Sequence, residues 1–504
     1  MPLRVYNTLS RTKEDFDPIN AGKVGMYLCG PTVYKPSHIG HAVGPIIFDA
    51  IKRYLTFRGF EVTWVVNITD VEDKLIAEAQ KEGCGTYELA ERVTRNYLEA
   101  MDKLGIAQGV NGIDHMPKAS EHIGDIIKYI ERLIAKEAAY PLDGDVYFDV
   151  TADDDYGKLS NRSPEEQASQ RELQSGAKRH PGDFALWKAS KPDEPEDVSF
   201  QSPWGRGRPG WHIECSAMSM RYLGESFDIH GGGLDLVFPH HENEIAQSES
   251  ATGKPFAKYW LHHGLTRFNT KKISKSDPEM QAALERMVLS NLLETYSGEL
   301  LRYFILSTHY RRPIEFSPEE IEGKRKGLNT FYRLFDRVER ITGRSPYQVA
   351  GPPGGSEANA GGAAALDQEL GDYRDRFLDA MDDDFNTAAA IAVLFEMAGR
   401  VNRYIDETGM ERNATDEGRE TALNAAGRLI GLARLLGLFV QPQVAETGQD
   451  SELVDKIMQI MIEIRQHCRA NKDFATADLI RDRLKTEGVV LEDRPGGTGW
   501  TLES

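Results

Sequence analysis

Over the first hundred residues, short runs dense in β-branched and aromatic side chains alternate with stretches whose apolar positions recur every three or four residues. "VGMYLCG" (24–30) and "FEVTWVVNITD" (60–70) have the density of buried strands, whereas "PIIFDAIKRYLTFRG" (45–59) and "VEDKLIAEAQKEG" (71–83) have a helical period. Strand, helix, strand, helix predicts a parallel sheet with crossover helices. Ligands of such sheets gather beyond the strand C-termini. The histidine turn "KPSHIGHAVGP" after the first strand and "NITD" at the end of the second are therefore predicted to face one crevice.

From about residue 95 to 205 the pattern turns helical and then hydrophilic, with "TADDDYGKLSNRS" and "KASKPDEPEDVS" predicted as loops or turns of an inserted subdomain. The α/β alternation returns with "SFDIHGGGLDLVFPHHENEIAQSESA" and "KYWLHHGLTRF", so one sheet is predicted to be split by an insertion. After about residue 290 the pattern is helical, broken by "SPYQVAGPPGGSEANAGGAAAL", whose Gly, Ala and Pro content predicts a flexible linker. Helical stretches over 366–440 and 451–487 follow, and no internal repeat is present.

Composition narrows the class. A chain of 504 residues with net charge −19 is a poor general adhesive for nucleic acid or anionic lipid, which leaves room only for a local basic track. Four scattered cysteines, Cys29, Cys84, Cys215 and Cys468, cannot make a disulfide framework and point to a reducing compartment. The opening "MPLRVYNTLSRTKEDFD" lacks a signal-type apolar core, and no apolar run reaches the ~18 residues of a membrane span. A cytoplasmic protein without membrane attachment is expected.

Three constellations carry candidate chemistry. In "FPHHENEIAQS" a helical spacing sets His240 and Glu244 on one face at i and i+4, suited to two ligands of one metal ion or, equally, to a solvated helix start. Cys29 and Cys215, in "GWHIECSAM", are the sulfurs that could complete a Cys2HisGlu set, although spacing alone cannot group ligands so far apart. "KKISKSDPEM" offers Lys272 and Lys275 as a mobile polyphosphate clamp or a solvated basic turn. His38 and His41 flank Gly40 at a helix start, where anions are favoured; the small glycine is expected to let a nucleotide approach while the histidines donate to its phosphates. "GRGRPG" (205–210) matches G-x-G-x-x-G but follows a loop and has Pro209 where a dinucleotide-binding helix would begin. No P-loop motif occurs.

With "HIGH" at 38–41 and "KISKS" at 272–276, in that order on either side of a split α/β sheet, the chain resembles the class I aminoacyl-tRNA synthetases. "YLCGPTVY", "NITDVEDK", "GWHIECSAMS", "DIHGGGLDLVFPHHENEIAQSE" and "DFATADLIRDRLKTEGVVLEDRPGGTGW" resemble the cysteine-specific family among them, over about residues 3 to 500. The resemblance implies a Rossmann-like parallel-sheet catalytic domain in two halves, 1–95 and 206–262, around a connective insertion, 96–205. A stem-contact region at 263–320, a helical bundle at 321–450 with the linker 345–365, and an anticodon-binding module at 451–504 complete the expected order. It implies one Zn²⁺ per chain on Cys29, Cys215, His240 and Glu244, with Mg²⁺ accompanying ATP. It places Cys29, Gly30, Thr69, Trp211 and His240 around L-cysteine. It places His38, Gly40, His41, Gly232, Gly233, Asp235, Lys272 and Lys275 around ATP, with Asp235 on the ribose and His38, His41, Lys272 and Lys275 catalytic. Arg465, Arg469, Asp478 and Asp493 match positions used on the anticodon.

The implied reaction is formation of cysteinyl-adenylate from L-cysteine and ATP, then transfer to the terminal adenosine of tRNA(Cys) by a monomer. A metal is understandable there, since a hydrophobic pocket separates cysteine from serine poorly and a thiolate binds zinc far better than a hydroxyl. Two departures from the family pattern stand out: "DPEM" after the lysine motif where many relatives continue "SLGN", and "KPS" before the histidines rather than an aromatic-rich triplet. Neither removes a charged or ligating group. The alternatives are a ligase that passes activated cysteine to a small amine, against which stands the C-terminal "LEDRPGGTGW", and a catalytically silent RNA-binding relative, against which stand the intact signature residues.

Overall fold

The computed structural model describes residues 2–109, 112–163, 178–191, 194–268, 285, 287–351, 364–442, 449–494 and 497–502. The lysine motif with Lys272 and Lys275, and most of the Gly/Ala/Pro segment, lie outside the described residues.

Four parallel strands make the central sheet: β1 (Lys23–Leu28), β2 (Glu61–Val66), β3 (Phe227–Gly233) and β4 (Ala257–His263), in spatial order β4-β3-β1-β2. Each of β1 and β2 begins exposed and ends with three consecutive buried residues. That run without alternation marks a strand covered on both faces. Met26 pairs with Trp64 on one side and Ile229 on the other, which joins sequence segments about two hundred residues apart. Helix α1 (Gly40–Phe57) links β1 to β2, and helix α3 (Glu242–Thr252) links β3 to β4. The chain winds outward in opposite directions from β1 and β3, so the topological switch point lies between them, and a ligand crevice forms beyond their C-termini. α1 buries a nearly continuous stretch from Ala42 to Lys52, and its Asp49 pairs with the fully buried Arg302.

Between the two halves lies a second sheet, antiparallel and four-stranded, made of Ala139–Leu142, Asp145–Phe148, Phe184–Ala189 and Gly207–Pro209. Helix Ile123–Ala135 packs on it through Ile126, Tyr129, Ile130 and Leu133, against Val146, Phe148, Phe184 and Trp187. This sheet is not among the elements expected from sequence. Its strands are three to six residues long and divided by polar turns, too short to show a period. The glycine-rich "GRGRPG" thus becomes an edge strand, and it feeds directly into helix α2 (Trp211–Leu223).

The chain divides into a compact unit of residues 1–329, 373–394 and 432–438 and a second of 330–372, 395–431 and 439–504. The second holds helical segments whose core includes Phe331, Phe335 and Phe439, with ring centroids 5.3 Å apart for Phe331 and Phe439. It ends in helices Gln449–Ala470 and Phe474–Thr486 and the hairpin Val489–Arg494 with Gly497–Leu502. No helix among the described residues is long and apolar enough to cross a membrane.

Candidate active site

Four potential metal ligands converge at the switch point. Cys29 directly follows β1, Cys215 lies in the second turn of α2, and Glu244 is in the first turn of α3. His240 precedes α3 on a turn that becomes helical only after Phe238, whose φ of −140° and ψ of 131° are extended. The two sulfurs are 3.8 Å apart, Cys29 Sγ is 3.5 Å from Glu244 Oε1, Cys215 Sγ is 3.6 Å from His240 Nε2, and His240 Nε2 is 3.0 Å from Glu244 Oε1. Bonds of about 2.3 Å to sulfur and about 2.0–2.2 Å to nitrogen or oxygen set tetrahedral edges of roughly 3.8 Å between sulfurs and roughly 3.4–3.6 Å elsewhere. Three of the four observed edges meet that spacing and the fourth is tighter. The donors therefore fit a small tetrahedral cation.

A ring of partners fixes these ligands. Glu244 Oε2 bonds His230 Nε2 at 2.8 Å, His240 Nδ1 lies 2.8 Å from His212 Nδ1, and the Trp211 ring stacks on His240 at 4.1 Å. Gln247 donates to the His212 carbonyl and to Ser216 Oγ. Such outer contacts orient ligands and set their tautomers. The described ligand atoms that lie within 4.8 Å of one another belong to Cys29, His240, Glu244 and, in place of Cys215, His241, which is absent from the sequence-based ligand set. Its Nε2 is 4.0 Å from Glu244 Oε1, beyond a tetrahedral nitrogen–oxygen edge, and its Nδ1 is held by His262 at 2.7 Å. It serves better as an outer partner than as a ligand. Burial pushes the Cys29 thiol up, whereas the hydrogen bond from Cys29 lowers Cys215 to about 6, so Cys215 yields its proton first.

The histidine turn is preorganised. His38 and His41 stack with centroids 4.0 Å apart; His38 Nδ1 accepts from the Gly40 N–H and His41 Nδ1 from the His38 N–H. Partial removal from water lowers both pKa values, that of the half-buried His41 to about 3, while His38 keeps more exposure, so both rings are neutral at pH 7. With Nδ1 accepting, each ring carries its proton on Nε2, leaving two N–H donors. A Cβ at Gly40 would meet His38 Cε1 at 2.8 Å, so the missing side chain makes room for the His38 ring. The backbone returning from the undescribed lysine segment pairs with this turn, Ile39 N–H to the Met287 carbonyl and Leu289 N–H to the Ser37 carbonyl.

Asn67, also missed from sequence, ties two of the amino-acid positions together. Its Oδ1 accepts from the Gly30 N–H at 2.9 Å and its Nδ2 donates to Thr69 Oγ1 at 3.2 Å. The glycines of β3 pack closely: a Cβ on Gly231 would strike Phe48, one on Gly232 would meet His241 Cε1 at 2.7 Å, and one on Gly233 would meet Asp235 Oδ1 at 2.4 Å. Gly232 thus leaves room for His241. Asp235 is exposed just past β3 and lines a cavity of about 570 Å³ with Tyr6, Arg11, Arg162 and Phe238. The cavity includes none of the four metal-ligand candidates.

In the second unit, Arg465 grips Asp493 through two bonds of 2.7 and 2.8 Å, and Arg469 adds a third at 2.7 Å. Arg465 is buried, so this pair holds helix Gln449–Ala470 to the terminal hairpin, while Arg469 and Asp478 face solvent.

A family model described as the tRNA synthetases class I (C) catalytic domain matches residues 15–326, and one described as the DALR domain matches 376–441. The chain is 48% identical over 513 residues to a cysteine-tRNA ligase of Syntrophotalea carbinolica, with 99% of each chain covered. It is 46% identical over 509 residues to a cysteine-tRNA ligase of Geobacter sulfurreducens, with 100% of each covered. Among solved structures it is similar in fold to Mycobacterium tuberculosis methionyl-tRNA synthetase in complex with methionyl-adenylate, at TM-score 0.60 and 17% identity, covering 87% of this chain and 94% of that one.

Proposed function

Starting from the premise that this chain belongs to the cysteine-specific class I tRNA synthetases, we propose that Cys29, Cys215, His240 and Glu244 hold a zinc ion where the substrate's side chain is selected. The reaction joins cysteine to its tRNA: ATP and cysteine give cysteinyl-adenylate and pyrophosphate, and the aminoacyl group passes to the terminal adenosine of tRNA(Cys) with release of AMP. The observation that carries the zinc reading is the set of four donor distances, since two sulfurs, an imidazole and a carboxylate meet with three of the four distances at tetrahedral spacing and the fourth shorter. A zinc ion there supplies a soft Lewis-acid position that a thiolate occupies far more readily than a hydroxyl, giving cysteine over serine.

The other steps fall to the chain's own groups. The two Nε2–H donors of His38 and His41 bind phosphate oxygens as charge moves toward the leaving pyrophosphate, and need no reorganisation because their Nδ1 atoms are already tied to the turn. Lys272 and Lys275 complete that clamp, together with Mg²⁺ on the ATP. Asp235 accepts from the ribose hydroxyls, and Gly30, Thr69 and Trp211 position the amino acid. Arg469, Asp478 and the Arg465–Asp493 pair belong to the anticodon surface. The enzyme works in the cytoplasm as a monomer.

The test is charging of total tRNA with labelled cysteine, ATP and Mg²⁺, beside the same assay with serine and a zinc determination. Cysteine-only charging at one zinc per chain is expected. Charging of serine at comparable rates, or full activity in zinc-free protein, overturns the zinc reading; pyrophosphate exchange without charging redirects the adenylate to a small amine.

A further inference from the structure

Beyond the end of β3, Asp235 opens onto the cavity of about 570 Å³, within the roughly 300–1,000 Å³ of pockets that enclose a small ligand. One wall is the N-terminal hairpin, strands Arg4–Asn7 and Thr12–Asp15, whose connecting turn ends at Arg11. The other is the turn Leu159–Arg162 of the insertion. Among the described positions expected around ATP, only Asp235 lines the cavity; His38, Gly40 and His41 do not. Two arginines therefore line a space beside the ribose position and outside the histidine turn that faces the triphosphate.

Both walls are held in place. Glu242, buried in the first turn of α3, accepts from the backbone N–H groups of Gly157, Leu159 and Ser160 at 3.1, 3.3 and 2.6 Å, which ties the turn to the helix that carries Glu244. Burying Glu242 costs free energy that these three donors offset, and the result is a turn with a set position. The Arg162 guanidinium sits over the Phe238 ring, 5.0 Å from its centroid. On the hairpin side, the Tyr6 N–H donates to the buried Asp384 at 2.8 Å, and Thr8 Oγ1 lies 2.8 Å from His262 Nδ1. Arg11 is exposed, and its guanidinium is in no ion pair or hydrogen bond with a described residue. Leu234, 44% exposed, adds an apolar surface beside Asp235.

Two positive groups and an apolar surface suit a ligand that carries phosphates and bases, since arginine pairs with phosphate and offers a plane on which an unpaired base stacks. The second step of the reaction brings such a ligand to this place, because the terminal adenosine of the tRNA must reach the adenylate. We infer that the cavity holds the unpaired 3′ end of the tRNA, with Arg11 and Arg162 on its phosphates and Leu234 against a base. This rests on the reading that Asp235 holds the ribose of the adenylate.

The test compares full-length tRNA(Cys) with the same RNA lacking its last two nucleotides, each titrated at one fixed salt concentration because phosphate contacts weaken with salt. Transfer from preformed cysteinyl-adenylate and cysteine-dependent pyrophosphate exchange are measured alongside. In Arg11→Ala and in Arg162→Ala, the Kd for full-length tRNA is expected to rise about ten-fold and the transfer rate to fall by a similar factor, as for loss of one charge-assisted contact. The Kd for the shortened RNA and the exchange rate stay at wild-type values. Arg11→Ala leaves the stack of Arg162 on Phe238 intact, so it decides the matter should Arg162→Ala disturb its turn. Equal weakening of both RNAs moves the contact to the stem, slower exchange moves it to ATP, and no change leaves the arginines without a role; each overturns the inference. Failure of the Asp235 reading shows separately, as an unchanged KM for ATP in Asp235→Asn, and takes the inference with it.

Discussion

Two polar clusters in this protein obey opposite economies. At the switch point of the parallel sheet, Cys215, His240, Glu244, His230 and Glu214 are buried, and taking them out of water is expensive. In the C-terminal segment, Arg469, Asp478 and Asp493 are about half exposed, where an ion pair is worth little. A costly arrangement persists only if something holds it, a ligand or a dense hydrogen-bond network, so its geometry is informative about chemistry. An inexpensive arrangement is compatible with many purposes. Four distances therefore say more about the first cluster than the whole helical face says about the second.

The largest expected effect breaks the buried cluster directly. Cys215→Ser is expected to lose the metal and to lower cysteine activation by at least about 10²-fold, beyond the 10–100-fold cost typical of outer-shell changes; zinc stoichiometry and pyrophosphate exchange check it, and full zinc retention contradicts it. Next, Lys275→Ala is expected to keep the metal while activation falls on the order of 10²–10³-fold, the scale for removing one transition-state donor. An unchanged activation rate in that variant would remove the lysine from the phosphate clamp.

A third prediction uses pH. The folded-state pKa of His41, about 3, lies below the unfolded value near 6.5, so the unfolded chain takes up the proton first as pH falls. Its contribution to stability is therefore intact above about pH 6.5 and declines steadily below it. Thermal melting between pH 7 and 5 should fall more steeply for wild type than for His41→Asn, whose activation rate is expected to drop at every pH. Parallel melting curves would refute the assignment of a neutral, half-buried imidazole.

The smallest effect sharpens the exposed side of the contrast. Arg469→Ala is expected to raise the KM for tRNA about three- to ten-fold, the range for one phosphate or base contact, and to leave pyrophosphate exchange untouched. Arg465→Ala, by contrast, removes the buried partner of Asp493 and should loosen the terminal hairpin, read as faster hydrogen exchange over 489–502. If Arg465→Ala changes tRNA affinity with no change in exchange, the pair is a reading device rather than a clasp.

How much was legible beforehand differs between the same regions. The strands "VGMYLCG" and "FEVTWVVNITD" announce themselves because full burial demands an unbroken apolar run, and the helix after His38 because its apolar residues recur every three or four positions. His240 and Glu244 could be paired from spacing alone, since a helix repeats locally. Nothing local linked Cys29 to Cys215, 186 residues apart, and nothing marked Asn67, His230 or His241, whose residue types are common at surfaces. The antiparallel sheet of the insertion escaped because strands of three to six residues carry too few positions to establish a period.

The sequence by itself determined the elements of the parallel sheet, their order, and the family to which the signature motifs belong, because period, turn chemistry and short motifs are local properties. Only the tertiary structure decided which cysteines meet, that Gly40 and Gly232 serve neighbouring histidines, and that Arg465 is already engaged. Those outcomes depend on distances across the sheet and between helices. Such distances are set by the packing of the whole core, not by any segment's own residues.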